Sequence, residues 1–222
     1  MVIYDVEQGS DRWRTVRAGI PTASNFHKIH TPTGKESQSE TVEQYMFDLL
    51  AERVLGRPLV ERSSIWMERG SYLEAEAIAF YHFTRDCETR EIGFVTTDDK
   101  RIGASPDRVV GDDGLLEVKC PKAGTHLGYA LSDLGFDVRR GGVDAKYYAQ
   151  LQGQLWICER KWVDIQSYHP EMQPATVRVA RDEKYIETLS RAVRNFSDHL
   201  EDMAAKLDAS GWLKPILFER AS

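Results

Sequence analysis

The most informative stretch of this chain is Ser105-Pro-Asp-Arg-Val-Val-Gly-Asp-Asp-Gly-Leu-Leu-Glu-Val-Lys119. It holds two short runs of strand-forming residues, 107–111 and 115–119, on either side of Asp112-Asp113-Gly114. Two polar residues followed by glycine are typical of a three-residue hairpin loop whose last residue is left-handed. The stretch therefore predicts a β-hairpin.

The predicted hairpin brings three charged side chains to one face. If Gly111 lies opposite Leu115, then Asp107 lies opposite Lys119. Side chains of a strand alternate between its two faces, so Glu117 shares the face of Lys119. A loop of even length would place Asp107 on the opposite face. The odd loop therefore predicts that the two carboxylates and the lysine converge.

Two carboxylates and one ammonium group at a single spot suit a magnesium site. Mg²⁺ prefers oxygen ligands and binds through one or two carboxylates together with phosphate oxygens of a substrate. Such a metal polarises a phosphodiester and lowers the pKa of an attacking water. Lys119 would orient or deprotonate that water, or neutralise charge on the transition state. The alternative is a surface hairpin with ordinary charges, because Pro-Asp followed by Glu-x-Lys also arises by chance.

Three further motifs accompany the hairpin, and only their combination is specific. In chain order, the four are Trp13-x-x-x-Arg17 with Gly19-Ile-x-Thr22-Ala-Ser24, then Arg69-Gly70-x-x-x-Glu74, then Ser105-Pro-Asp107 with Glu117-Val-Lys119-Cys-Pro121, and finally Tyr147-x-x-Gln150-x-Gln152 with Trp156. Together they resemble the viral-type alkaline exonuclease family, typified by the exonuclease of bacteriophage lambda. That family is a branch of the PD-(D/E)XK, or restriction-endonuclease-like, nuclease superfamily.

The resemblance implies a single α/β domain over residues 1–222, with a restriction-endonuclease-like core in which a central mixed β-sheet is flanked by helices. The catalytic core would cover about residues 60–180. Independently, apolar residues recur every three or four positions from Asp182 onward, which predicts a C-terminal amphipathic helix over about 182–207. Patterning also predicts helices over about 40–55 and 143–158, and strands over 88–96, 101–110, 161–168 and 175–179.

The resemblance also implies an activity and its requirements. The chain would be a magnesium-dependent 5′-to-3′ exonuclease that degrades one strand of double-stranded DNA processively to mononucleotides. The remaining 3′ overhang would serve recombination by strand annealing. Two Mg²⁺ ions per active site, for which Mn²⁺ can substitute, would bind Asp107, Glu117 and the backbone carbonyl of Val118. The family closes into a homotrimeric ring around DNA ends and commonly works with a single-strand annealing protein.

Glu74, Gln150 and Tyr147 each have two interpretations. From the residues alone, Ser71-Tyr-Leu-Glu74 matches a capping box that opens an apolar helix. Tyr147, Gln150 and Gln154 form a polar helical stripe that could simply face solvent. The resemblance instead implies that Glu74 is catalytic and binds metal directly or through water. It also implies that Gln150 steadies a water or a metal ligand and that Tyr147 contacts the phosphate beside the scissile bond.

The N-terminal motif has the features of a phosphate receiver. Ser10 can cap a short helix that carries Arg17, and Pro21-Thr22 can open another that contains Ser24. Helix N-termini and arginine side chains both attract phosphate. The resemblance implies that Arg17, Ser24 and Ser105 hold the 5′-terminal phosphate, which sets the direction of digestion. The alternative is that Arg17 is a surface cation and Ser24 an ordinary helix residue.

Met67 belongs to an apolar trio, Ile65-Trp66-Met67, in a polar stretch. The resemblance implies that Met67 is a wedge that opens the terminal base pair, because apolar side chains can unstack a base step when they insert into it. Anchoring a helix in the core is the alternative role.

Composition sets the outer bounds. A chain of 222 residues with 41% hydrophobic content fits one domain with a sizeable core. It has no apolar run of membrane-spanning length and no signal-peptide pattern, so we expect a cytoplasmic protein with no membrane partner. Cys87, Cys120 and Cys158 are odd in number and widely spaced, which argues against a disulfide framework, a zinc site or a four-cysteine iron–sulfur cluster.

The net charge of −6 is unusual for a DNA-binding protein, because phosphate contacts normally need a basic surface. The arginines of residues 12–17 and the pair Arg139-Arg140 are candidates for such a surface. Two other functions stay open. A restriction or repair endonuclease can use the same core and would cut closed circular DNA. A catalytically silent DNA-end-binding protein would keep the scaffold without releasing nucleotides.

Overall fold

The computed structural model describes residues 1–31, 39–59, 65–138 and 142–212, and for residues 65–72 it describes the backbone only. Within these ranges the strands are β1 (Val2–Tyr4), β2 (Thr89–Arg90), β3 (Phe94–Thr96), β4 (Gly103–Ala104), β5 (Arg108–Val110), β6 (Gly114–Lys119), β7 (Trp162–Ser167) and β8 (Ala175–Ala180). The α-helices are α1 (Asp11–Arg17), α2 (Phe26–Ile29), α3 (Glu40–Leu55), α4 (Ile65–Arg85), α5 (Ala123–Asp133), α6 (Ala145–Ile157) and α7 (Glu183–Ala209).

Five strands form a central sheet in the order β2-β5-β6-β7-β8. β6 and β7 are parallel and the other neighbours are antiparallel, so the sheet is mixed. A parallel pair needs a crossover connection, and α5 and α6 provide it. β1, β3 and β4 form a separate three-stranded sheet. The predicted α/β class, with a mixed central sheet flanked by helices, is confirmed.

The predicted hairpin is present, but its register differs by two residues from the prediction. Val110 pairs with Gly114, so the loop is Gly111-Asp112-Asp113. Gly111 takes the left-handed conformation, with φ of +54°, at the start of the loop. Gly114 lies in β6, where an added Cβ atom would come within 2.3 Å of the Trp162 ring. A shift of two residues preserves the alternation of side chains, so the three charged groups still share one face.

Two predicted strands are each divided between the two sheets. Residues 88–96 contain β2 and β3, and residues 101–110 contain β4 and β5. β2 and β5 belong to the central sheet, whereas β3 and β4 belong to the smaller one. The second division follows from Pro106, because proline has no N–H to donate to a strand ladder. Alternation alone therefore overestimated the length of these strands.

The predicted capping box at Ser71 and Glu74 is wrong. α4 begins at Ile65, so both residues lie inside the helix. Backbone N–H groups inside a helix already bond to carbonyls four residues earlier and need no cap. Capping therefore does not account for the carboxylate of Glu74.

Helices cover both faces of the central sheet. α6 packs on one face together with α7, which also contacts α2 and α3, and α4 packs on the other face. The long amphipathic helix is confirmed as α7, and its N-cap Asp182 accepts a hydrogen bond from the backbone N–H of Tyr185. The predicted helices over 40–55 and 143–158 correspond to α3 and α6. Within the described ranges, a helix of the length and apolarity needed to cross a membrane is absent.

Candidate active site

The three charged residues of the hairpin region meet at one end of the central sheet. Glu117 and Lys119 belong to β6, and Asp107 immediately precedes β5. Lys119 Nζ donates a hydrogen bond to Glu117 Oε1 at 2.5 Å. Asp107 Oδ2 accepts a hydrogen bond from the backbone N–H of Val118 at 2.6 Å. The convergence expected from the strand period is therefore present.

Helix α6 supplies amide donors to the same carboxylate. Gln150 Nε2 donates to Glu117 Oε1 at 2.6 Å, and Gln154 Nε2 donates to Glu117 Oε2 at 2.7 Å. Gln154 is 1% exposed, so this part of the polar stripe faces the sheet and not the solvent. Sequence reasoning placed Gln150 in the site and missed Gln154. The signal was available, because residues four apart lie on one helix face.

Burial and neighbouring charges shift the pKa values of the acidic and basic groups in this cluster. Burial and the Glu117 carboxylate raise the pKa of Asp107 well above its usual value. Burial also raises the pKa of Glu74, against the opposing effect of the nearby Arg108. Burial disfavours the ammonium of Lys119, but Glu117 and then Asp107 outweigh it and raise its pKa. A further cation at this position would relieve the repulsion between the carboxylates.

The atoms that could bind a metal at this site are oxygen atoms, which hard cations such as Mg²⁺ prefer. The carbonyl of Val118 points to the same edge of β6 as its N–H group, which bonds Asp107. In the observed register the residue opposite Val118 is Pro106, which has no N–H to offer that carbonyl. Over residues 1–31, 39–59, 65–138 and 142–212, sets of three or more His, Cys, Asp or Glu side chains suited to a metal are absent. Two carboxylates and a carbonyl nevertheless fit Mg²⁺, which keeps several of its waters.

Glu74 and Tyr147 border the same cluster from two different helices. Glu74, on α4, lies close enough to Glu117 and Lys119 for both charges to act on its pKa. The ring of Tyr147, on α6, has its centre 5.1 Å from Lys119 Nζ. The structure therefore places the predicted catalytic residues around one buried carboxylate, that of Glu117.

A second polar cluster is centred on Ser105, which precedes Asp107 by two residues. Ser105 Oγ accepts hydrogen bonds from Arg17 Nη1 at 3.0 Å and from Trp13 Nε1 at 3.1 Å. The guanidinium of Arg17 also stacks on the Trp13 ring, 3.8 Å from its centre. Ser10 caps α1 by accepting from the backbone N–H of Trp13, as predicted. The Trp13 contact was not foreseen, because nothing local in the sequence links residues 92 positions apart.

Ser24 lies on the chain segment next to this second cluster. Its hydroxyl is 3.3 Å from Thr22 Oγ1, and Thr22 forms a parallel bridge with Gly103, two residues before Ser105. The predicted helix at this point is a short 3₁₀ helix, Ala23–Asn25, followed by α2. The structure therefore joins Arg17 to Ser105 directly, whereas Ser24 is linked to this region only through its neighbour Thr22.

Two predicted DNA contacts lie outside the described residues. The backbone of Met67 belongs to α4, but its side chain is not among those described, and Arg139-Arg140 falls between the described ranges. The wedge and the basic loop therefore stay predictions.

Comparisons with known proteins identify the family by a sequence profile and the fold by solved structures. A family profile described as the YqaJ-like viral recombinase domain matches residues 12–161. Among solved structures, this chain is similar to the alkaline exonuclease LHK-Exo from Laribacter hongkongensis, with a TM-score of 0.78 and 28% identity over 91% of this chain and 98% of that chain. The same exonuclease in complex with dAMP gives a TM-score of 0.78 and 29% identity over the same shares.

A more distant likeness supports the fold alone. A phage-related exonuclease from Haemophilus somnus 129PT has a TM-score of 0.64 and 16% identity, over 85% of this chain and 96% of that chain. Curated protein sequences give no significant match. The mixed α/β fold is thus shared with the solved exonucleases over most of the chain.

Proposed function

Because this chain belongs to the family of YqaJ-like viral recombinase domains, we propose that it is an exodeoxyribonuclease that hydrolyses one strand of double-stranded DNA from its 5′ end. The observation that carries this proposal is the buried Glu117, which is held by Lys119, Gln150 and Gln154 beside Asp107. Such a cluster suits metal-assisted phosphodiester hydrolysis, because its carboxylates would hold the divalent cation that neutralises charge on the phosphate. The likeness to an alkaline exonuclease at 28% identity supports it further.

Asp107, Glu117 and the Val118 carbonyl are the proposed ligands of divalent metal, with Glu74 as an additional ligand reached directly or through water. We propose two Mg²⁺ ions per site, for which Mn²⁺ can substitute. When bound, the metal polarises the phosphodiester and lowers the pKa of water. The raised pKa of Asp107 supports a cation at this position, because positive charge favours the ionised carboxylate.

The protein's own groups have separate roles in this proposal. Gln150 and Gln154 each donate to one oxygen of Glu117 and so fix the orientation of its carboxylate. Lys119 is an ammonium group in the metal-free protein, since its pKa is raised by its two acidic neighbours. That protonated form cannot accept a proton from water, which favours the role of neutralising charge on the phosphate over that of general base. Tyr147 would contact the phosphate beside the scissile bond.

The 5′ end would be recognised at the second cluster. Arg17 and Ser105 are already in contact, and Ser105 is two residues from Asp107. Guanidinium and hydroxyl groups both donate to phosphate oxygens. A terminal phosphate held by Arg17, Ser105 and Ser24 would therefore lie close to the hydrolytic cluster, and digestion would run from 5′ to 3′. Met67 would act as the wedge that separates the terminal base pair.

Digestion by this enzyme would release mononucleotides and leave a 3′ single strand. We propose that three copies form a ring around the duplex, which makes digestion processive, and that a single-strand annealing protein acts on the exposed strand. The proposed location is the cytoplasm, as expected from the sequence.

The test uses a linear duplex with one radiolabelled 5′ phosphate, and the same duplex labelled instead at the 3′ end of that strand. In Mg²⁺ the 5′ label should leave first, as a mononucleotide, and the 3′ label last. Chelation of the metal should stop both, and covalently closed circular DNA should stay intact. Release of the 3′ label first, or cutting of the closed circle, would contradict the proposal.

Nucleotide release from a duplex labelled at internal positions tests the 5′-phosphate site. Duplex ends with a 5′ hydroxyl should be digested more slowly than phosphorylated ends, and Arg17→Ala should remove that difference. Arg14→Ala is the matched control, because Arg14 lies on the same helix but is exposed and paired with Asp11. A preference that survives Arg17→Ala would exclude this site.

A further inference from the structure

Apolar side chains cluster on the surface at the end of α5. Leu134, Phe136 and Val138 are 74%, 59% and 47% exposed. Leu127 and Leu131 extend this apolar surface back along one face of α5, because they precede Leu134 by seven and three residues. Contiguous apolar surface of this kind marks an interaction site more often than scattered single residues do. We refer to residues 134–138 as the α5 hook.

The α5 hook has a fixed backbone conformation. Gly135 is left-handed, with φ of +87°. Its N–H donates to the carbonyl of Ser132, and the N–H of Phe136 donates to the carbonyl of Leu131. This pair of bonds is the Schellman arrangement, which ends a helix in a defined geometry. The hook is therefore preorganised, and docking it would lose little backbone entropy.

An apolar groove lies elsewhere on the surface, between α3 and the C-terminal part of α7. Its volume is about 550 Å³. The lining is mainly apolar and includes Phe47, Val54, Leu55, Met203, Leu207 and Trp212. Phe47, Leu55 and Trp212 are 47%, 50% and 68% exposed, so the groove is open to a partner. We refer to it as the α3–α7 groove.

The hook and the groove lie at opposite ends of α7. Phe136 and Asp137 line a cleft together with Asp182 and Glu183, at the start of α7. The groove instead involves Met203 and residues beyond it. At 1.5 Å per residue, Asp182 and Met203 are about 30 Å apart along the helix. The two apolar surfaces therefore cannot meet within one copy of the chain.

Charge also matches the hook to the groove. The exposed Asp137 places a negative charge between Phe136 and Val138. The exposed Lys206 lines the groove and places a positive charge beside Met203 and Leu207. We propose that the α5 hook of one copy docks into the α3–α7 groove of a second copy, with Asp137 against Lys206.

This contact is head-to-tail, because two different surfaces of the same chain pair. Repetition of a head-to-tail contact gives a closed ring when the rotation between copies closes, and an open filament when it does not. A stable interface covers roughly 800 Å² per partner, more than the three hook side chains supply, so Leu127 and Leu131 would extend it along α5. The proposal gives the contact surfaces of the ring proposed above and rests on that assembly, but it does not depend on the nuclease activity.

A charge exchange tests the pairing by measuring mass in solution. Asp137→Lys and Lys206→Asp should each weaken association about tenfold or more, because each places like charges together. The double variant, Asp137→Lys with Lys206→Asp, restores an opposite pair and should return association close to that of the unmodified protein. Single variants that assemble like the unmodified protein, or an unmodified protein that is a monomer throughout, would overturn the proposal.

Two controls separate the contact from other effects. Phe136→Ser should weaken association, whereas Phe83→Ser should not, because Phe83 is 86% exposed on α4 and belongs to neither surface. Nucleotide release from a short duplex, measured in the same variants, reports the proposed activity separately from the assembly. An active monomer would reject the contact alone, and an inactive ring would reject the nuclease proposal alone.

Cross-linking identifies what occupies the groove. A photoreactive amino acid at position 47, in the full chain, should capture a peptide that contains residues 134–138 of another copy. Capture of residues 213–222 instead would show that the C-terminal segment fills the groove and would overturn the proposal.

Discussion

Glu117 is the residue to which three polar side chains of the site form hydrogen bonds. It is 2% exposed and accepts hydrogen bonds from Lys119, Gln150 and Gln154. A buried carboxyl group without hydrogen-bond partners is costly, so these three donors offset the cost of burying it. A carboxylate held in one orientation from three sides is preorganised to act as a ligand.

Gln154 should matter for activity through its hydrogen bond to Glu117. We expect Gln154→Ala to lower the nuclease rate about 10- to 100-fold, the usual effect of removing a group that orients a metal ligand. A shift in the Mg²⁺ concentration that gives half-maximal rate would identify the cause as weaker metal binding. Gln152→Ala is the control, because Gln152 on the same helix bonds Ala180 and Asp182 and should affect stability instead. Equal metal dependence in the two variants would reject this role for Gln154.

Asp107 should make the metal-free protein less stable as the pH rises. Its pKa is raised in the folded protein, so the native state binds more protons than the unfolded state between the ordinary and the raised pKa. Stability therefore falls as pH rises through that interval and is constant above it. Asp107→Asn keeps an oxygen to accept from Val118 but cannot ionise.

We therefore expect Asp107→Asn to melt a few degrees higher than the unmodified protein in metal-free buffer at alkaline pH, and to show a smaller fall with pH. Added Mg²⁺ should raise the melting temperature of the unmodified protein more than that of the variant, since a ligand stabilises the state that binds it. Thermal unfolding by circular dichroism measures both. An unchanged melting temperature and an equal response to Mg²⁺ would contradict the assigned position of Asp107.

Residue-level prediction succeeded where one short-range rule was enough. The two-residue repeat of a strand placed Asp107, Glu117 and Lys119 together, even with the register wrong by two. The same patterning put Gln154 on the helix face of Gln150 but could not tell whether that face packs on the sheet or faces solvent. That depends on which face of α6 packs inward, which is settled by contacts far apart in the sequence.

At the scale of elements, the glycines of the hairpin have opposite roles. Gly111 is left-handed at +54°, and an added Cβ atom there would meet nothing within 4 Å. Gly114 lies in β6 under the ring of Trp162, which also stacks on Arg178. The register of the β5–β6 hairpin therefore depends on two glycines. Packing against Trp162 requires glycine at position 114, and the left-handed backbone conformation favours glycine at position 111.

Gly114→Ala should lower the free energy of unfolding by about 1–3 kcal/mol, the usual effect of overpacking a well-packed site. Gly111→Asn should lower it by less than about 1 kcal/mol, because asparagine tolerates the left-handed conformation. Urea denaturation measures both. The reverse order of effects would show that Gly114 and not Gly111 supplies the turn.

Elements with a long regular pattern were predicted well, and those defined by interruptions were not. α3, α6 and α7 each have enough turns for their apolar spacing to be clear. The start of α4 was placed too late, because a capping-box pattern occurs by chance inside it. β3 and β4 lie outside the central sheet because β3 pairs with β1 and with β4, and because Pro106 separates β4 from β5. Pairing between strands that are distant along the chain cannot be predicted from local sequence.

For the molecule as a whole, the proposed function requires an acidic protein to bind acidic DNA. The net charge is −6, so long-range attraction to phosphate is weak. Bound metal and the local cluster around Arg17 would provide contact at the end being digested. A ring would add retention by topology, because enclosed DNA cannot leave when individual contacts break.

A competitor trap separates retention of the DNA substrate from the rate of hydrolysis. Excess unlabelled duplex, added after digestion starts, should leave the unmodified protein digesting its first substrate to the end. Phe136→Ser, which should weaken the proposed ring, is expected to begin at the same rate and to stop early once the trap is present. Early stopping by the unmodified protein, or full digestion by a variant shown to be monomeric, would contradict retention by a ring.

Lys119→Ala is the decisive variant for the proposal that Asp107, Glu117 and Lys119 form a metal-dependent hydrolytic site. The measurement is nucleotide release from a linear duplex under single-turnover conditions, together with binding to the duplex end. Unmodified protein and the control Lys161→Ala, which changes an exposed lysine paired with Asp113, should release nucleotides in Mg²⁺ and none after chelation. Lys119→Ala should still bind the duplex end, but its rate of nucleotide release should be at least about a hundredfold lower than that of the unmodified protein. Release by Lys119→Ala at the unmodified rate, or no release by the unmodified protein in ample Mg²⁺, would show that these residues do not form such a site.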